Sequence, residues 1–189
     1  IAGITCIASD VTEKVNLEQK LLHYYRRDAL TGLYNRNYMK KWKSGEIAKF
    51  PLAILVLDCD HLKHINDNYG HKAGDELLGM VSAAIVANMG DNDIAFRVGG
   101  DEFAIICNET DEIRAKELVQ NLHRELNGLQ LHGVTLSASI GYACIKEHTR
   151  DIHKVYAEAD KMMYENKRKY HEICAKQRAA EAEPREIFR

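Results

Sequence analysis

The run Leu52 to Leu57 is the feature that most constrains the fold of this chain. Six consecutive apolar residues follow Pro51, so both faces of the segment have to be buried. The run is far too short to cross a bilayer. We therefore expect a central strand of a sheet that is covered on both sides.

Helical patterns flank this run. Apolar residues recur at helical spacing in four segments, 11–27, 74–89, 110–126 and 159–169. In the third segment, Ile113, Leu118 and Leu122 are expected to form the buried face. The tail after His171 is charged and helix-prone.

Further strand patterns follow the central run. Residues 94–98 and 103–107 enclose Gly99-Gly100, which predicts a β-hairpin whose tight turn uses the freedom of glycine to take positive φ. Residues 134–145 form another strand pattern. Together with the helices, these strands predict an α/β (α+β) domain with a central, mainly antiparallel sheet flanked by helices.

The bulk composition limits the partners of the chain. A length of 189 residues leaves room for one domain of ordinary size plus an appendage. A net charge of −2 provides no general attraction to nucleic acid or to an anionic membrane, so any phosphate binding has to be local. The five cysteines are an odd number without a Cys-x-x-Cys pair, which argues against a disulfide framework or zinc knuckle and favours a reducing cytosol.

Two acids stand where the buried strand ends, in Asp58-Cys59-Asp60. Alternate side chains of an extended segment point the same way, so both carboxylates can lie on one side. Mg²⁺ is a natural partner because it prefers oxygen ligands and often takes one or two carboxylates plus phosphate oxygens. The alternative is a strand that ends in two solvated acids.

Asp101 and Glu102 directly follow the glycines of the hairpin. A turn beside the central strand can bring Asp101 close to Asp58 and allow a bulky anion to approach the backbone. This arrangement would suit a divalent metal and a triphosphate in phosphoryl or nucleotidyl transfer. An ordinary surface turn is the alternative.

Residues 63–75 form a polar, glycine-punctuated stretch that leads into the second helix. Lys63 and a helix N-terminus suit phosphates. Asn66 can donate to and accept from a base edge, and Asp75 can accept from the N1–H and 2-amino groups of guanine. Equally, these residue types make loops and caps. Three histidines on this predicted loop do not have a standard zinc spacing: His61, His64 and His71.

These residues resemble the GGDEF family of diguanylate cyclases. Five motifs occur in the family's order between residues 28 and 167. They are Asp28-x-Leu30-Thr31-Gly32-Leu33-x-Asn35-Arg36, Asp58-x-Asp60-x-x-Lys63-x-Ile65-Asn66-Asp67, Tyr69-Gly70-His71-x-x-Gly74-Asp75, Arg97-Val98-Gly99-Gly100-Asp101-Glu102-Phe103 and Ala159-Asp160-x-x-Met163-Tyr164-x-x-Lys167.

The resemblance implies a nucleotide-cyclase-like (palm) fold and a reaction between two GTP molecules. Each subunit of a homodimer would bind one GTP, and each 3′-hydroxyl would attack the α-phosphate of the other nucleotide. The products would be cyclic di-GMP and two pyrophosphates, with Mg²⁺ as cofactor and Mn²⁺ as a substitute.

The resemblance also implies roles for the site residues. Asp58, the Cys59 carbonyl and Asp101 would hold the metal, with Glu102 contributing nearby. Asp101 would deprotonate the attacking hydroxyl, and Lys63 would stabilise charge on the phosphates. The hairpin glycines Gly99 and Gly100 would contact the substrate, and so would Lys167 from the helix predicted over 159–169. Guanine would be bound by three further residues, namely Asn66, His71 and Asp75.

Three positions depart from the family pattern. The window Gly90 to Asp93 lacks the arginine of the Arg-x-x-Asp motif that family members with product inhibition carry, and glycine cannot replace a guanidinium as a phosphate partner. We therefore expect weak or no feedback inhibition by cyclic di-GMP at this site. Leu62 replaces a common phenylalanine, and His171 stands near an expected basic residue, for which Arg168 and Lys169 are possible substitutes.

The predicted organisation has four parts. Residues 1–10 resemble the end of a PAS sensor domain, 11–27 a helical signalling linker, 28–171 the catalytic domain and 172–189 a charged tail. A generic strand–helix junction and simple packing are the alternatives for the first two. We expect a cytoplasmic fragment of a longer protein, with a sensor upstream and no direct contact of this fragment with membrane or nucleic acid. Membrane anchoring elsewhere in the longer protein is compatible with this expectation.

Two other functions are alternatives for this sequence. A catalytically silent module that binds GTP or cyclic di-GMP would fit the same fold, but such modules usually lose the hairpin acids, and Asp101 and Glu102 are present. A different nucleotidyl transferase, such as a nucleotide cyclase or palm-like polymerase, is the other alternative. A polymerase needs a nucleic-acid surface, against which the net charge argues.

Overall fold

The computed structural model describes residues 14–17, 20–22, 24–42, 49–146 and 151–182. Its helices are α1 Arg36–Trp42, α2 Leu62–Tyr69, α3 His71–Asn88, α4 Glu112–Asn127 and α5 Ile152–Ala182. Its strands are β1 Tyr34–Asn35, β2 Leu52–Cys59, β3 Ile94–Arg97, β4 Glu102–Asn108, β5 Gln130–Leu131, β6 Val134–Thr135 and β7 Ala138–Ile145. No described helix is both long and apolar enough to cross a membrane.

The N-terminal predictions are only partly covered by the structure. Residues 14–17, 20–22 and 24–26 are helical, in agreement with the helix predicted over 11–27. The resemblance of residues 1–10 to the end of a sensor domain lies outside the described residues. The role of the helix as a signalling linker stays a prediction.

Five strands form the main sheet, in the order β1-β3-β4-β2-β7. Only the short β1–β3 pair is parallel, and the other neighbours are antiparallel. Strand β2 lies between β4 and β7, and each of its residues is buried. The prediction of an interior strand is therefore confirmed.

The apolar run of β2 is explained by helices on both faces of the sheet. Leu52, Ile54 and Val56 belong to a core cluster that includes residues of α1 and α5. Leu55 and Leu57 belong to a second cluster, which includes residues of α3 and α4. The expected architecture, a mainly antiparallel sheet flanked by helices, is confirmed.

Gly141 of β7 allows α5 to lie directly on the sheet. A β-carbon at this position would lie 2.1 Å from the Ala159 carbonyl oxygen and 2.2 Å from the Met163 amide nitrogen. Both distances are far inside van der Waals contact. Any side chain at residue 141 would have to move the helix or the strand.

The stretch expected to be a loop is mostly helical, so that prediction was wrong. Helix α2 spans it, and α3 begins at His71 rather than near Gly74. Between them, Gly70 takes a φ of 84°, which glycine adopts without strain. Ile65 is the one buried residue of α2, so the apolar periodicity was too sparse to reveal a helix.

Other local expectations also need correction. The hairpin of β3 and β4 exists, but its four-residue loop, residues 98–101, does not place Gly99 or Gly100 at positive φ. Ile113 is 70% exposed, because α4 turns Leu118 and Leu122 towards the core instead.

The ends of two predicted elements also shift. The strand predicted over 134–145 is interrupted at 136–137, between β6 and β7. Helix α5 is longer at both ends than the predicted 159–169 and continues through the described part of the charged tail.

Candidate active site

Asp58, at the end of β2, is a buried carboxylate with one unsatisfied oxygen. Its Oδ2 lies 2.6 Å from Lys167 Nζ on α5. Its Oδ1 is buried without a hydrogen-bond partner among the described residues. Burial raises the pKa of Asp58, and the charges of Asp101 and Asp60 add to this while Lys167 opposes it. A buried, partnerless carboxylate oxygen is costly unless a cation or donor reaches it.

The hairpin brings its acids to Asp58, as the sequence predicted. The Cys59 amide donates to the Asp101 carbonyl at 2.9 Å, which joins the loop to the strand end. Glu102 is the register partner of Asp58 across the β2–β4 pair, so both side chains point to the same face. The two segments therefore form one acidic corner.

The two hairpin glycines differ in the space they leave. A β-carbon at Gly99 would lie 2.9 Å from the Glu102 Oε2, so the Glu102 side chain occupies that room. A β-carbon at Gly100 would meet nothing within 4 Å. Of the two, Gly100 leaves open space where a bound anion could approach the loop.

A cavity of about 630 Å³ opens beside this corner. Four of the predicted site residues line it, namely Cys59, Lys63, Asp101 and Lys167. Burial lowers the pKa of Lys167, but its hydrogen bond to Asp58 and the nearby carboxylates outweigh burial, so the pKa lies above its usual value. The cavity thus combines two cationic side chains with an acidic wall.

The residues predicted to read guanine lie outside this cavity, on α2 and α3. His71 and Asp75 are exposed and one helical turn apart. The amide of Asn66 packs against Gly74, where a β-carbon would come within 2.0 Å of Asn66 Oδ1. The structure therefore groups these three residues at the start of α3, separately from the lysines and acids.

The donor set suits Mg²⁺ rather than a transition metal. Within the described ranges, no group of three His, Cys, Asp or Glu side chains is arranged as a metal site. Mg²⁺ does not require one, because it commonly binds one or two carboxylates and takes its other ligands from phosphate and water. The Asp58 Oδ1, which has no hydrogen-bond partner among the described residues, and the nearby carboxylate of Asp101 could supply these one or two carboxylate ligands.

Arg97 is a site residue whose role sequence reasoning missed. Its Nη2 donates to the Gly100 carbonyl at 2.7 Å, and its Nη1 to Asp28 Oδ1 at 3.1 Å. Asp28 in turn accepts from the amide and hydroxyl of Thr31, at 2.9 and 2.8 Å. Arg97 therefore ties the glycine loop to the turn that precedes β1, a long-range pairing without a local sequence signal.

Asp60 differs from Asp58, although both belong to one predicted motif. Its two carboxylate oxygens accept from Ser137 Oγ at 2.9 Å and Ser139 Oγ at 3.0 Å. Asp60 is buried, and each oxygen has a donor. Its observed contacts are therefore structural, and neither serine was singled out from the sequence.

The three departures from the family pattern can be located. Leu62 is partly buried against the core, and His171 lines the cavity. At the window that lacks the inhibitory arginine, the Gly90 amide donates to Asp93 Oδ2 at 2.8 Å. A β-carbon at Gly90 would lie 3.0 Å from Arg114 Nη2, so α4 brings a guanidinium to this turn. Weak feedback inhibition stays a prediction.

Comparison with known proteins agrees with this geometry. Residues 25–172 match the family model described as "Diguanylate cyclase, GGDEF domain". The chain belongs to the GGDEF domain family. The fold is that of this family's domain, as the resemblance implied.

Several curated relatives are similar over most of the chain. Diguanylate cyclase DgcM of Escherichia coli K12 is 32% identical over 168 residues, and diguanylate cyclase DosC of the same strain is 33% identical over 178. Both alignments cover 86% of this chain but only 41% and 38% of those proteins. Cyclic di-GMP phosphodiesterase PdeR is 31% identical over 167 residues, with 85% of this chain and 25% of that protein covered. The chain thus spans about two fifths or less of these relatives.

Solved GGDEF structures have the same fold. The coiled coil and GGDEF domain of DgcB from Caulobacter crescentus, solved with c-di-GMP, superposes with a TM-score of 0.78 at 24% identity, covering 88% of this chain and 93% of that one. A microbial GGDEF domain, from a study of its interaction with cyclic di-GMP, gives a TM-score of 0.68 at 32% identity over 78% and 93% of the two chains.

Proposed function

We propose that the protein is a diguanylate cyclase, which condenses two GTP molecules into cyclic di-GMP and releases two pyrophosphates. The observation that carries this proposal is Asp58, a buried carboxylate with a partnerless oxygen beside Asp101. It pairs with Lys167, which lines the neighbouring cavity together with Lys63 and Asp101. Acids that hold a metal next to cations that hold phosphate are what nucleotidyl transfer requires.

The metal ligands would be Asp58, the Cys59 carbonyl and Asp101, with Glu102 nearby. The chemistry supplied by bound Mg²⁺, or by Mn²⁺ in its place, would be neutralisation of the charge that develops on the phosphates. Burial, together with the negative charges of Asp101 and Asp60, raises the pKa of Asp58, and a bound cation would stabilise its ionised form.

The side chains of the chain itself would orient the substrate and move one proton. Lys63 and Lys167 would contact the triphosphate, and Asn66, His71 and Asp75 would bind guanine at the start of α3. Asp101, only half-buried, would accept the proton of a 3′-hydroxyl as that oxygen attacks the α-phosphorus of the other nucleotide and pyrophosphate leaves.

Two copies would be needed, because each nucleotide is both attacker and target. The described N-terminal helical residues expose apolar side chains that suit a partner helix, among them Leu17 at 60% and Leu21 at 61%. We propose a homodimer in the cytoplasm, controlled by a sensor in the same longer chain. Nucleic acid and membrane are not proposed partners of this domain.

A silent binding module is the second candidate. The match to PdeR, a phosphodiesterase by name, is the observation that favours it. The retained acids Asp58, Asp101 and Glu102 favour the enzyme.

The decisive test is product analysis by mass after incubation with GTP and MgCl₂. Asp101→Asn should abolish cyclic di-GMP formation, whereas Glu165→Gln, an equal charge change on the exposed side of α5, should leave it unchanged. GTP binding without product, at high protein concentration and with Mn²⁺, would instead establish the binding module. Cyclic GMP as product would point to a cyclase acting within one subunit.

A further inference from the structure

Tyr170, on α5, joins two segments behind the proposed phosphate site. Its hydroxyl lies 2.6 Å from His61 Nε2 and 3.1 Å from Ser137 Oγ. Ser137 Oγ is also 2.9 Å from Asp60 Oδ2. Tyr170 is half-buried and lines the cavity itself. One phenolic oxygen thereby connects α5 to the turn that follows β2.

His61 gives this contact its importance. It has a φ of 65°, a left-handed conformation that costs energy for a residue with a side chain and persists where neighbours hold it. The Tyr170 hydroxyl and the edge-to-face packing of the two rings, with centroids 5.6 Å apart, contribute to holding it. The His61 carbonyl accepts from the Ile65 amide at 2.9 Å, so His61 also sets where α2 begins.

Helix α5 therefore holds the end of β2 at two points. Lys167 bonds to Asp58, and Tyr170, three residues later on the same helix face, reaches His61 and, through Ser137, Asp60. The backbone of Cys59 and the start of α2, which carries Lys63, lie between or next to these points. A shift of this turn would move the Cys59 carbonyl and Lys63 relative to the cavity.

We propose that Tyr170 is a positioning residue, which fixes the turn between β2 and α2 and so the places of two groups, the Cys59 carbonyl as a proposed metal ligand and Lys63 as the proposed contact to the triphosphate of a purine nucleotide. This inference rests on the proposed function, and it adds a residue that none of the recognised motifs contains. Groups that orient ligands through hydrogen bonds commonly change affinity by about tenfold or more when removed.

The test uses Tyr170→Phe, which removes only the hydroxyl, and Tyr164→Phe as its matched control. Tyr164 lies on the same helix and is 66% exposed. The affinity of a GTP analogue with a non-cleavable α,β-methylene bridge is measured by calorimetry in the presence of MgCl₂, alongside thermal unfolding. Tyr170→Phe should raise the Kd about tenfold, with Tyr164→Phe unchanged. A lower melting temperature with unchanged analogue affinity would overturn the positioning role.

A double-mutant cycle with His61→Gly separates positioning from a direct contact between Tyr170 and the ligand. Glycine accepts the left-handed backbone but removes the ring, so the turn survives without its tie to Tyr170. If Tyr170 acts through His61, the Kd of the double variant for the analogue should be close to that of whichever single variant binds the analogue less tightly. Additive losses would overturn the mechanism.

Failure of the two proposals can be told apart. Wild-type protein that binds the analogue but makes no cyclic di-GMP contradicts only the cyclase proposal. Analogue affinity that is unchanged in Tyr170→Phe contradicts only the positioning role. Wild-type protein that does not bind the analogue overturns both.

Discussion

Asp28 and Asp58 are two carboxylates of the same domain with opposite surroundings. Asp28 accepts from the amide and hydroxyl of Thr31 and from Arg97, and its side chain is 24% exposed. Asp58 is 6% exposed, pairs with Lys167 and leaves one oxygen without a hydrogen-bond partner among the residues that the structure describes. Asp28 Oδ1 receives three donors from the fold, which makes Asp28 the satisfied member of the pair. Asp58 is the unsatisfied member, because its buried Oδ1 receives none from the described residues. In this pair, the carboxylate with unmet hydrogen-bonding capacity is the one that we propose to bind a ligand.

The largest expected effect tests the unsatisfied member. Asp58→Asn removes a proposed metal ligand but keeps the side-chain volume. We expect cyclic di-GMP formation to fall about 100-fold or more, with little loss of stability, because the raised pKa shows that ionised Asp58 is disfavoured in the folded protein. Initial rates and urea unfolding would check this. A strongly destabilised Asp58→Asn protein would contradict the comparison.

The satisfied member should show the reverse pattern. Asp28→Asn loses the ion pair with Arg97 and weakens the turn that holds Thr31. We expect a loss of about 1–2 kcal/mol in the free energy of unfolding and activity within about threefold of the wild type. Chemical denaturation measures the first and product formation the second. Loss of activity in a protein of normal stability would assign Asp28 to the reaction.

Asp75 tests whether an exposed acid can also bind the ligand, because its side chain is exposed and we expect it to contact guanine. In Asp75→Asn the acceptor for the guanine N1–H and 2-amino groups is weakened. The preference for GTP over ATP should fall roughly tenfold, with the turnover number little changed. Competition binding of the two nucleotides would measure this. Unchanged selectivity would mean that the start of α3 does not read the base.

The smallest expected effect concerns how the free energy of unfolding depends on pH, to which Asp28 and Asp58 should contribute with opposite signs. For Asp28, burial raises the pKa, but the hydrogen bonds from Thr31 and Arg97 outweigh it and lower the pKa overall. Its stabilisation is present above the usual aspartate pKa and is lost as the pH falls through the lowered value.

For Asp58 the folded pKa is raised, so its contribution is favourable at low pH and is lost as the pH rises through that value. Lowering the pH from about 6 to about 3 should therefore reduce wild-type stability relative to Asp28→Asn and increase it relative to Asp58→Asn. Urea unfolding in the absence of Mg²⁺ measures both differences. Parallel curves would contradict the assigned shifts.

The sequence predicted correctly those elements that local residue patterns define. The buried run of β2, the β3–β4 hairpin and the approach of Asp101 to Asp58 follow from apolar periodicity and glycine placement, and the structure has all three. Helix α2 was missed because a single buried residue, Ile65, gives no period. The exposure of Ile113 depends on how α4 rotates against the sheet.

The supporting contacts of the site were not predictable in the same way. The bonds of Arg97 to Asp28 and of Ser137 and Ser139 to Asp60 join residues far apart in the chain. Arg97, Asp28 and Asp60 belong to the recognised motifs, but nothing in the local sequence indicates these partners. These contacts can be recognised only when the strand order and the position of α5 on the sheet are known.

The contact at Gly141 has a consequence for how mutations act on this domain. Helix α5 touches β7 backbone to backbone there, at Ala159 and Met163, one to three turns before Lys167 and Tyr170. If a methyl group added at residue 141 displaced the helix rather than the strand, both side chains would move away from β2 together. The packing distance between α5 and β7, set by a residue outside the proposed site, thus controls the position of two residues within that site.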